Sequence, residues 1–540
     1  MSKKKTATLW GGLPETLPRA IRREVKRCTS PGGMDSPFGG GRELASGRNL
    51  GARRYPETAT RLPRGLLAYG RGSGEPHGMA SFDGAVIWAR GDELYRTSEA
   101  GTVSLGKVSD TPKQFFSFGD RLYVYPDKLY LERGEGMPKP VELDTGLIEG
   151  ADFQGSVLTL PKGYSWSELG FEEGDGLRVL NADDVTPAPE GYYRILKVNG
   201  RAVTVTPSFP GPYVSTARFL RSVPALERCC VSGDRVYGVI GRDVYVSAAG
   251  SATDFFTTTG LDGRGAARLH TDTDGDFTAL SPWQGYVVLF KEERIYRVLG
   301  NRADSFVLQD NTGVGIPEAF ADTLCEVGNV LYYCAAGGVY RYRGQEPERI
   351  SPLGAEAMEG CGGTDGIAYY LSALTSAGWR MSVYLPEEGV WYPEDETRAV
   401  AMLTRGGFLC LQDGEGSLWL SASDGRHPSC TYDETAQKGA LMASVTLYAE
   451  HGGEPYGLRL TGVSLRATGS AGGSLRVWAI YADADDTETC LLGEFAGGIT
   501  DRLLKMTPLP RRCDGVTLRL DMTGDWVIHA ILREYEAMKA

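Results

Sequence analysis

The sequence is poor in histidine, the residue that most often supplies metal ligands and general bases. It has five, His77, His270, His427, His451 and His529, in 540 residues. None stands in a His-Glu-x-x-His or His-x-His spacing, so no zinc site is predicted. A Gly-x-Ser-x-Gly elbow and a phosphate-binding loop are missing too. We therefore predict no catalytic residue and no cofactor, and expect a protein that is not an enzyme.

Cysteine pairs and long apolar runs are also missing. The ten cysteines form no Cys-x-x-Cys pair, which favours reduced thiols in a cytosolic assembly environment over a disulfide framework. The start of the chain has no apolar signal-peptide core, and no apolar run approaches the roughly 20 residues that span a bilayer. We expect a soluble chain with no membrane span and no signal-peptide export.

Net positive charge is missing as well. The formal net charge is −12, which argues against a surface that grips nucleic acid in general, because phosphate binding needs clustered lysine and arginine. One basic stretch runs from Lys3 to Arg64. Two interpretations stay open: a solvated N-terminal arm, or an arm that lies against an acidic neighbour or against DNA. The stretch includes Arg22, Arg23, Lys26, Arg42, Arg48, Arg53, Arg54, Arg61 and Arg64.

Glycine, in contrast, is abundant, and its positions reveal a repeat. The chain has 72 glycines, roughly twice the average share of about 7%. A Gly or Asp-Gly turn, an alternating apolar strand, a second turn and a strand with Tyr or Trp recur as one unit, which is typical of an antiparallel hairpin. Seven copies occur, at 82–96, 119–131, 233–247, 285–298, 328–342, 366–392 and 407–420.

The spacing of the copies predicts a β-propeller. Successive turn glycines are about 40 residues apart, which is the period of a four-stranded propeller blade. The interval from Gly119 to Gly233 is far longer, and residues 141–214 within it hold three strands of a different pattern, with an Asn199-Gly200 hairpin turn. Removing 141–214 restores the period, so we interpret it as a small β-barrel inserted into a blade loop.

The remaining segments complete a prediction of an all-β protein. Residues 441–540 alternate apolar and polar residues between Gly/Ser/Asp turns, which predicts a C-terminal β-sandwich. Residues 1–64 look like a largely irregular N-terminal arm. The β-propeller, of about seven blades, is expected at 65–140 plus 215–440.

Only one segment has the spacing of a metal loop. Asp272, Asp274 and Asp276 alternate along Asp272-Thr-Asp-Gly-Asp276, and alternate carboxylates can converge on Ca²⁺. The later glycine and bidentate glutamate of an EF-hand loop do not follow. A solvated turn between blades is the favoured interpretation, and the three aspartates remain the single metal candidate.

Four segments carry motifs of a known group of proteins: Arg48 to Arg61, Val244 to Phe256, Asp276 to Tyr296, and Gly313 to Gly344 with Ile350-Ser351. They resemble β-propeller proteins of bacteriophage tails and head–tail junctions, of the tail nozzle or tail accessory type. The resemblance covers roughly 30–140 and 215–425.

The resemblance implies a structural role in a virion. It implies a homo-oligomeric ring that contacts other virion proteins of the tail or head–tail adaptor, with DNA passing through the ring lumen. It also implies assembly in the host cytoplasm and final placement in the tail. Two alternatives stay open. One is a tail module that binds a host receptor or surface glycan; the less favoured one is a propeller glycosidase, whose paired carboxylates would be invisible in sequence.

Overall fold

The computed structural model describes residues 21–28, 32–34, 44–180, 189–351, 357–451, 457–483 and 486–538. The predicted all-β class is confirmed. The described helices are one short α-helix, α1 (Glu434–Lys438), and 3₁₀ turns at Ala52–Arg54 and Glu318–Thr323. Within these residues, no helix is long and apolar enough to cross a membrane.

Seven four-stranded antiparallel sheets form the largest part, which we call the seven-sheet body. In chain order of their first strands they are β6–β9 (Pro76–Phe82, Ala85–Arg90, Glu93–Ser98, Gly101–Lys107); β10–β13 (Gln114–Phe118, Arg121–Tyr125, Leu129–Glu132, Lys139–Pro140); β20–β23 (Arg228–Ser232, Arg235–Ile240, Asp243–Val246, Ala267–His270); β24–β27 (Ala279–Trp283, Tyr286–Phe290, Arg294–Leu299, Val307–Thr312); β28–β31 (Cys325–Val327, Val330–Ala335, Gly338–Tyr342, Glu348–Ser351); β32–β35 (Ala357–Thr364, Tyr369–Thr375, Gly378–Leu385, Val390–Pro393); and β36–β38 (Ala399–Arg405, Phe408–Asp413, Leu418–Ser421) with β5 (Gly65–Ala68).

Each predicted repeat unit supplies the second and third strands of one of these sheets. Two-residue turns reverse the chain; Gly119 and Gly233 take φ of 58° and 62° there, a left-handed conformation that glycine adopts without strain. The second strands are buried along most of their length, as in β7 and β29. Such strands need cover on both faces, which neighbouring sheets provide.

The sheets follow one another in a closed, propeller-like series. Their first strands contact one another in chain order, with the 3₁₀ turn Glu318–Thr323 between β24 and β32, and β36 returns to contact β6. The last sheet takes its fourth strand, β5, from the start of the chain, where Leu418 pairs with Ala68. This pairing joins the two chain ends of the series.

A closed six-stranded barrel interrupts the series between β13 and β20. Its core contains Trp166 and Phe219. The predicted barrel is present, but with six strands instead of three. Its last strand reaches Arg221, past the predicted boundary at 214, because that strand must pair with the first one to close the barrel. The strands are β14 (Leu143–Gln154), β15 (Val157–Thr159), β16 (Gly176–Leu180), β17 (Gly191–Asn199), β18 (Ala202–Thr206) and β19 (Tyr213–Arg221).

Two larger sheets form the rest, which we call the two-sheet module. Buried residues of both sheets belong to one core cluster, for example Leu465 and Leu520. One sheet has the order β3-β4-β47-β41-β44, with β1 beside β47 and β45 beside β41; the other has the order β2-β39-β46-β42-β43, with β40 beside β46. The bounds are β1 (Ile21–Cys28), β2 (Leu44–Arg48), β3 (Leu50–Gly51), β4 (Thr58–Thr60), β39 (Met442–Leu447), β40 (Glu450–His451), β41 (Leu458–Gly469), β42 (Ser474–Asp483), β43 (Asp486–Ala496), β44 (Ile499–Met506), β45 (Arg512–Cys513), β46 (Gly515–Thr523) and β47 (Trp526–Met538).

The N-terminal segment is not the largely irregular arm that was predicted, as far as it is described. β1 pairs with β47 and β2 pairs with β39, so this segment completes both sheets of the module. The prediction was wrong because these short strands have no periodic pattern of their own; partners more than 390 residues away order them. Backbone hydrogen bonds between Met34 and Trp391, 2.9 and 2.8 Å long, also tie the segment to the seven-sheet body.

Candidate interaction site

A cleft of about 610 Å³ lies where the barrel meets the seven-sheet body. Three segments line it: β11 and β12 with their flanking turns, the barrel turn at 172–175, and the loop at 250–253 that follows β22. Most of the lining side chains are charged or carry a hydroxyl. The cleft can therefore offer hydrogen bonds and charges to a polar ligand or to a neighbouring protein.

Arg121 joins the two walls of this cleft. Its guanidinium donates to Glu132 of β12 at 2.6 Å and to Glu172 of the barrel at 2.7 Å, and it lies 4.7 Å above the ring of Tyr130. Hydrogen bonds from Lys139 and from Arg121 lower the pKa of Glu132. Glu132 is therefore held as a carboxylate at neutral pH, which suits an ion pair and not a general acid.

A buried ion pair anchors the base of the barrel beside the cleft. Arg221 donates to Asp175 at 2.7 Å, and the two side chains are 1% and 6% exposed. Thr253 of the seven-sheet body donates its hydroxyl to the other carboxylate oxygen at 2.8 Å. Arg221 also donates to the carbonyl of Val141 at 2.5 Å. Since a buried charge needs a partner, this set fixes the barrel to the body.

Further contacts between the barrel and the same loop of the body continue this attachment. The rings of Tyr192 and Phe256 lie 4.8 Å apart, and the Thr206 hydroxyl donates to the carbonyl of Gly260 at 2.8 Å. The barrel is thus held along the loop that follows β22 as well as by its two chain connections.

A second cleft, of about 480 Å³, runs along the axis of the seven-sheet body. First strands of the series line it, as expected for a closed ring of sheets. Arg228 donates to Glu318 at 2.9 Å and to Asp322 at 2.7 Å at its wall. Burial raises the pKa of Cys229 to about 12, so this thiol stays neutral and a poor nucleophile.

A buried cluster of charges lies where the N-terminal segment enters the series. Arg64 donates to Glu394 at 2.5 Å, and Arg61 donates to Asp395 at 3.0 Å and to Glu434 of α1. Burial alone would raise the pKa of Asp395, but Arg64 and Arg61 outweigh it and hold that pKa well below its usual range. The cluster links the start of β5, the β35–β36 connection and α1.

This cluster revises the interpretation of the basic stretch as a solvated arm. Arg61 and Arg64 are 7% and 2% exposed, and Arg48 and Arg53 pair with Glu396 and Asp525 of the same chain. The acidic residues against which these arginines lie therefore belong to the same chain. The predicted basic residues at 3 and 42 lie outside the described residues; Arg22, Arg23 and Lys26 are on β1, where only the backbone is described.

The metal candidate does not form a ligand set. Asp272 and Asp274 lie in the loop between β23 and β24 with fully exposed side chains, and Asp274 pairs with Arg242 at 3.1 Å. Across the described ranges, no group of three His, Cys, Asp or Glu side chains is placed to hold a metal ion. The arrangement is that of a solvated loop.

One hydroxyl–imidazole–carboxylate chain lies on the two-sheet module. Thr468 is 2.8 Å from His529 Nε2, and His529 Nδ1 is 2.6 Å from Glu57. The Thr468 hydroxyl also accepts the backbone N–H of Asp501, and the chain lines none of the clefts described above. We interpret it as a tie between the N-terminal segment and β47.

The residues that build these sites carry no local signal in the sequence. Asp175 belongs to a glycine-rich turn and Arg221 ends a strand, so each looks like an ordinary surface residue. Asp175 and Arg221 lie 46 residues apart, Thr253 lies 78 residues from Asp175, and the carboxylate partners of Arg61 lie more than 330 residues away. Only the three-dimensional fold brings them together.

No protein-family model matches the chain, and no curated protein does. Among solved structures it is similar to the computationally designed Ika8 protein, at 11% identity over 66% of this chain and 99% of that one, with a TM-score of 0.34. It is also similar to BamB from Moraxella catarrhalis, at 9% identity over 71% and 98% of the two chains, again with a TM-score of 0.34. PorZ of Porphyromonas gingivalis matches at 15% identity over 71% and 44%, with a TM-score of 0.26. Likenesses this low assign no function.

Proposed function

We propose that the chain is a structural component of a bacteriophage virion, in the tail tube, nozzle or head–tail connector region, and that it acts through ring-forming protein–protein contacts. In this proposal the seven-sheet body is a seven-bladed β-propeller, the two-sheet module is a β-sandwich, and the chain catalyses no reaction. The motifs between Arg48 and Ile350 that resemble tail propellers are the starting point.

The observation that supports this role best is how the modules are joined. In the barrel, Asp175 is held by buried Arg221 and accepts a hydrogen bond from Thr253 of the body, and the N-terminal segment is fixed by the buried Arg64–Glu394 pair. Breaking a buried pair leaves an uncompensated charge, so such joints resist bending. A rigid body with two attached modules suits a part that must hold its shape within a large assembly.

The second cleft, along the axis of the seven-sheet body, is too small to be the passage for DNA. At about 480 Å³, and with Arg228 ion pairs at its wall, it has the volume of a small-molecule pocket, about 300–1,000 Å³, and not that of a channel for a duplex. In the proposal DNA therefore passes through the lumen of the oligomeric ring.

Antibody labelling of virions tests this function. An antibody raised against the full chain should label one defined place on the tail of intact phage particles produced by cells that express this protein. Labelling confined to unassembled protein in the lysate, with bare particles, would contradict a virion role.

A second candidate function is binding of a host surface glycan at the cleft between barrel and body. The cleft brings together the carboxylates of Asp120, Glu172 and Glu173, and the hydroxyl groups of sugars bind to hydrogen-bonding side chains of this kind. A glycan array probed with the wild-type chain and with Arg121→Ala would test it. Binding that the substitution abolishes would favour a receptor-binding module; a blank array would count against it.

A further inference from the structure

One arginine at the junction of the barrel and the seven-sheet body has no acceptor for its guanidinium. Arg194 stands on β17 between Tyr193 and Ile195, whose side chains belong to the barrel core, so its own side chain points out of the barrel. It is half-buried, and among the described residues it forms no hydrogen bond and no ion pair. Charged groups that are taken out of water are normally paired.

The guanidinium of Arg194 lies beside the first cleft, the one between barrel and body. Gly174 of the barrel and Gly250 of the body both line that cleft. A Cβ atom on Gly174 would lie 3.7 Å from Nη2 of Arg194, and one on Gly250 would lie 3.8 Å from the same atom. Because both positions hold glycine, no side chain of these two residues separates Arg194 from the cleft.

The carboxylates around Arg194 do not balance its charge. Burial, the largest effect, lowers the pKa of Arg194, and the charge of Arg264 lowers it further. Asp254, Asp175 and Asp234 act in the opposite direction, but they do not restore the ordinary value. The surroundings therefore disfavour the charged guanidinium, and an added anion would relieve this cost.

Two of these three carboxylates already have partners. Asp175 is bound by Arg221 and accepts the hydroxyl hydrogen of Thr253. Asp234 lies 3.8 Å from Arg264. Neither carboxylate lies within ion-pair distance of the guanidinium on β17, so both act on it only from farther away.

Asp254, the third carboxylate, is held in a way that does not oppose an anion. Its Cα lies 3.1 Å from the position of a Cβ on Gly176, the residue that pairs with Arg194 across β16 and β17. The side chain is 1% exposed; Oδ1 accepts the N–H of Thr257, and Oδ2 has no hydrogen-bond partner. Burial raises the pKa of Asp254, which favours its neutral form.

Arg235, a neighbouring arginine of the body, shows what Arg194 lacks. Arg235 is buried too, and the charge of Arg194 is among the effects that lower its pKa. Its guanidinium, however, donates to the carbonyls of Ser247 and Gly265 at 2.6 and 2.7 Å. The two arginines bring positive charge to the same region, and only the donors of Arg194 remain available.

We infer that Arg194 is an anion-binding residue that takes the carboxylate or phosphate group of a small ligand held in the first cleft. A guanidinium presents parallel N–H groups that match two oxygens of either group. The cleft, of about 610 Å³, has a size typical of small-molecule sites, about 300–1,000 Å³. Because Asp120 and Glu173 line the same cleft, we expect the rest of the ligand to carry hydroxyl groups that donate to them.

This site does not depend on the virion role. It also narrows the second candidate function, because a glycan in this cleft should then carry an acidic group; that narrower statement rests on the second candidate. Neutral and acidic probes separate the two ideas.

Isothermal titration calorimetry of the full chain, in a buffer without carboxylate or phosphate, tests the site with glucuronate, inorganic phosphate and neutral glucose. The wild type should bind at least one of the two anions, and Arg194→Gln should weaken that binding by about tenfold or more. The matched control is Arg201→Gln, which removes the same charge from an exposed position beyond the Asn199-Gly200 turn, outside the cleft, and should bind like the wild type.

Two results of this titration would overturn the inference. One is a wild type that binds neither anion; the other is equal anion binding by Arg194→Gln and the wild type. If glucose binds both proteins equally and the anions bind neither, the second candidate survives and the anion site does not.

A second variant separates loss of binding from loss of folding. Arg194→Met removes the charge and keeps an unbranched side chain of similar reach. Without ligand it should be at least as stable in urea as the wild type, because it removes a cation whose burial is not compensated. The anion that binds should raise the thermal unfolding midpoint of the wild type but not that of Arg194→Met. A clear loss of stability without ligand would show that Arg194 has a structural partner and would overturn the inference.

Discussion

At the residue scale, the contacts where parts of this protein meet are built around arginines that bind buried carboxylates. Arg221, Arg61 and Arg64 each bind at least one carboxylate from a distant part of the chain. Composition and charge could predict that the chain folds, but not which of its many arginines would be buried. The basic stretch shows this limit, since a run of charges looks solvated until its partners are known.

Removing the carboxylate at the barrel base should be costly. Asp175→Ala leaves Arg221 buried without its charge partner, and we expect the free energy of unfolding of the barrel to fall by about 3–5 kcal/mol. Urea denaturation, with hydrogen exchange of the barrel amides to localise the loss, measures this. Asp144→Ala is the control, because it removes the exposed partner of Arg218 in the same barrel and should change little. Equal losses in both variants would contradict the joint.

Acid should weaken the charge cluster at the start of β5. The pKa of Asp395 is lower in the folded protein than in the unfolded chain, near 3.9. Its contribution is therefore present above the unfolded pKa and is lost as pH falls below about 4. Asp395→Asn should be less stable than the wild type at pH 7, and the difference should shrink as pH falls. Urea denaturation midpoints of the two proteins measure this difference in stability. A difference that stays constant from pH 7 to pH 3 would contradict the linkage.

At the element scale, strands with local partners were predictable and strands with distant partners were not. The hairpins at 119–131 and 233–247 carry their own turns and alternation, and each lies in one sheet. β2 and β4 are short segments, and each pairs with a strand from the far end of the chain, β39 and β47 respectively. The barrel is intermediate: its hairpin at Asn199-Gly200 was predictable, whereas most of β19, the strand that closes the barrel, lies beyond the predicted boundary at 214.

Deleting the barrel tests its independence at this scale. Leu143 and Arg221 are paired across β14 and β19, so a short Gly/Ser linker can replace 144–220. We expect this variant to stay soluble and to keep its β circular dichroism signal. Deleting 141–214 instead would leave Ala217 and Phe219, buried in the barrel core, without cover, and should yield poorly soluble protein. An insoluble 144–220 deletion would show that the barrel is needed for the body to fold.

At the scale of the whole molecule, the chain closes its largest part with its own beginning. β5 joins the last sheet of the series, and the Arg61 and Arg64 cluster holds that joint. The period of the repeat predicted the number of sheet-forming units, but it could not predict this closure. The remaining N-terminal strands tie the same region to the two-sheet module, so all three parts form one connected body.

Electron microscopy of the purified full chain in negative stain tests the central claim, that this body is a ring-forming structural component, most directly. The account predicts closed rings of copies packed side by side, each copy showing a lobed disc with two attached modules. Particles that remain single discs at every protein concentration would contradict the account.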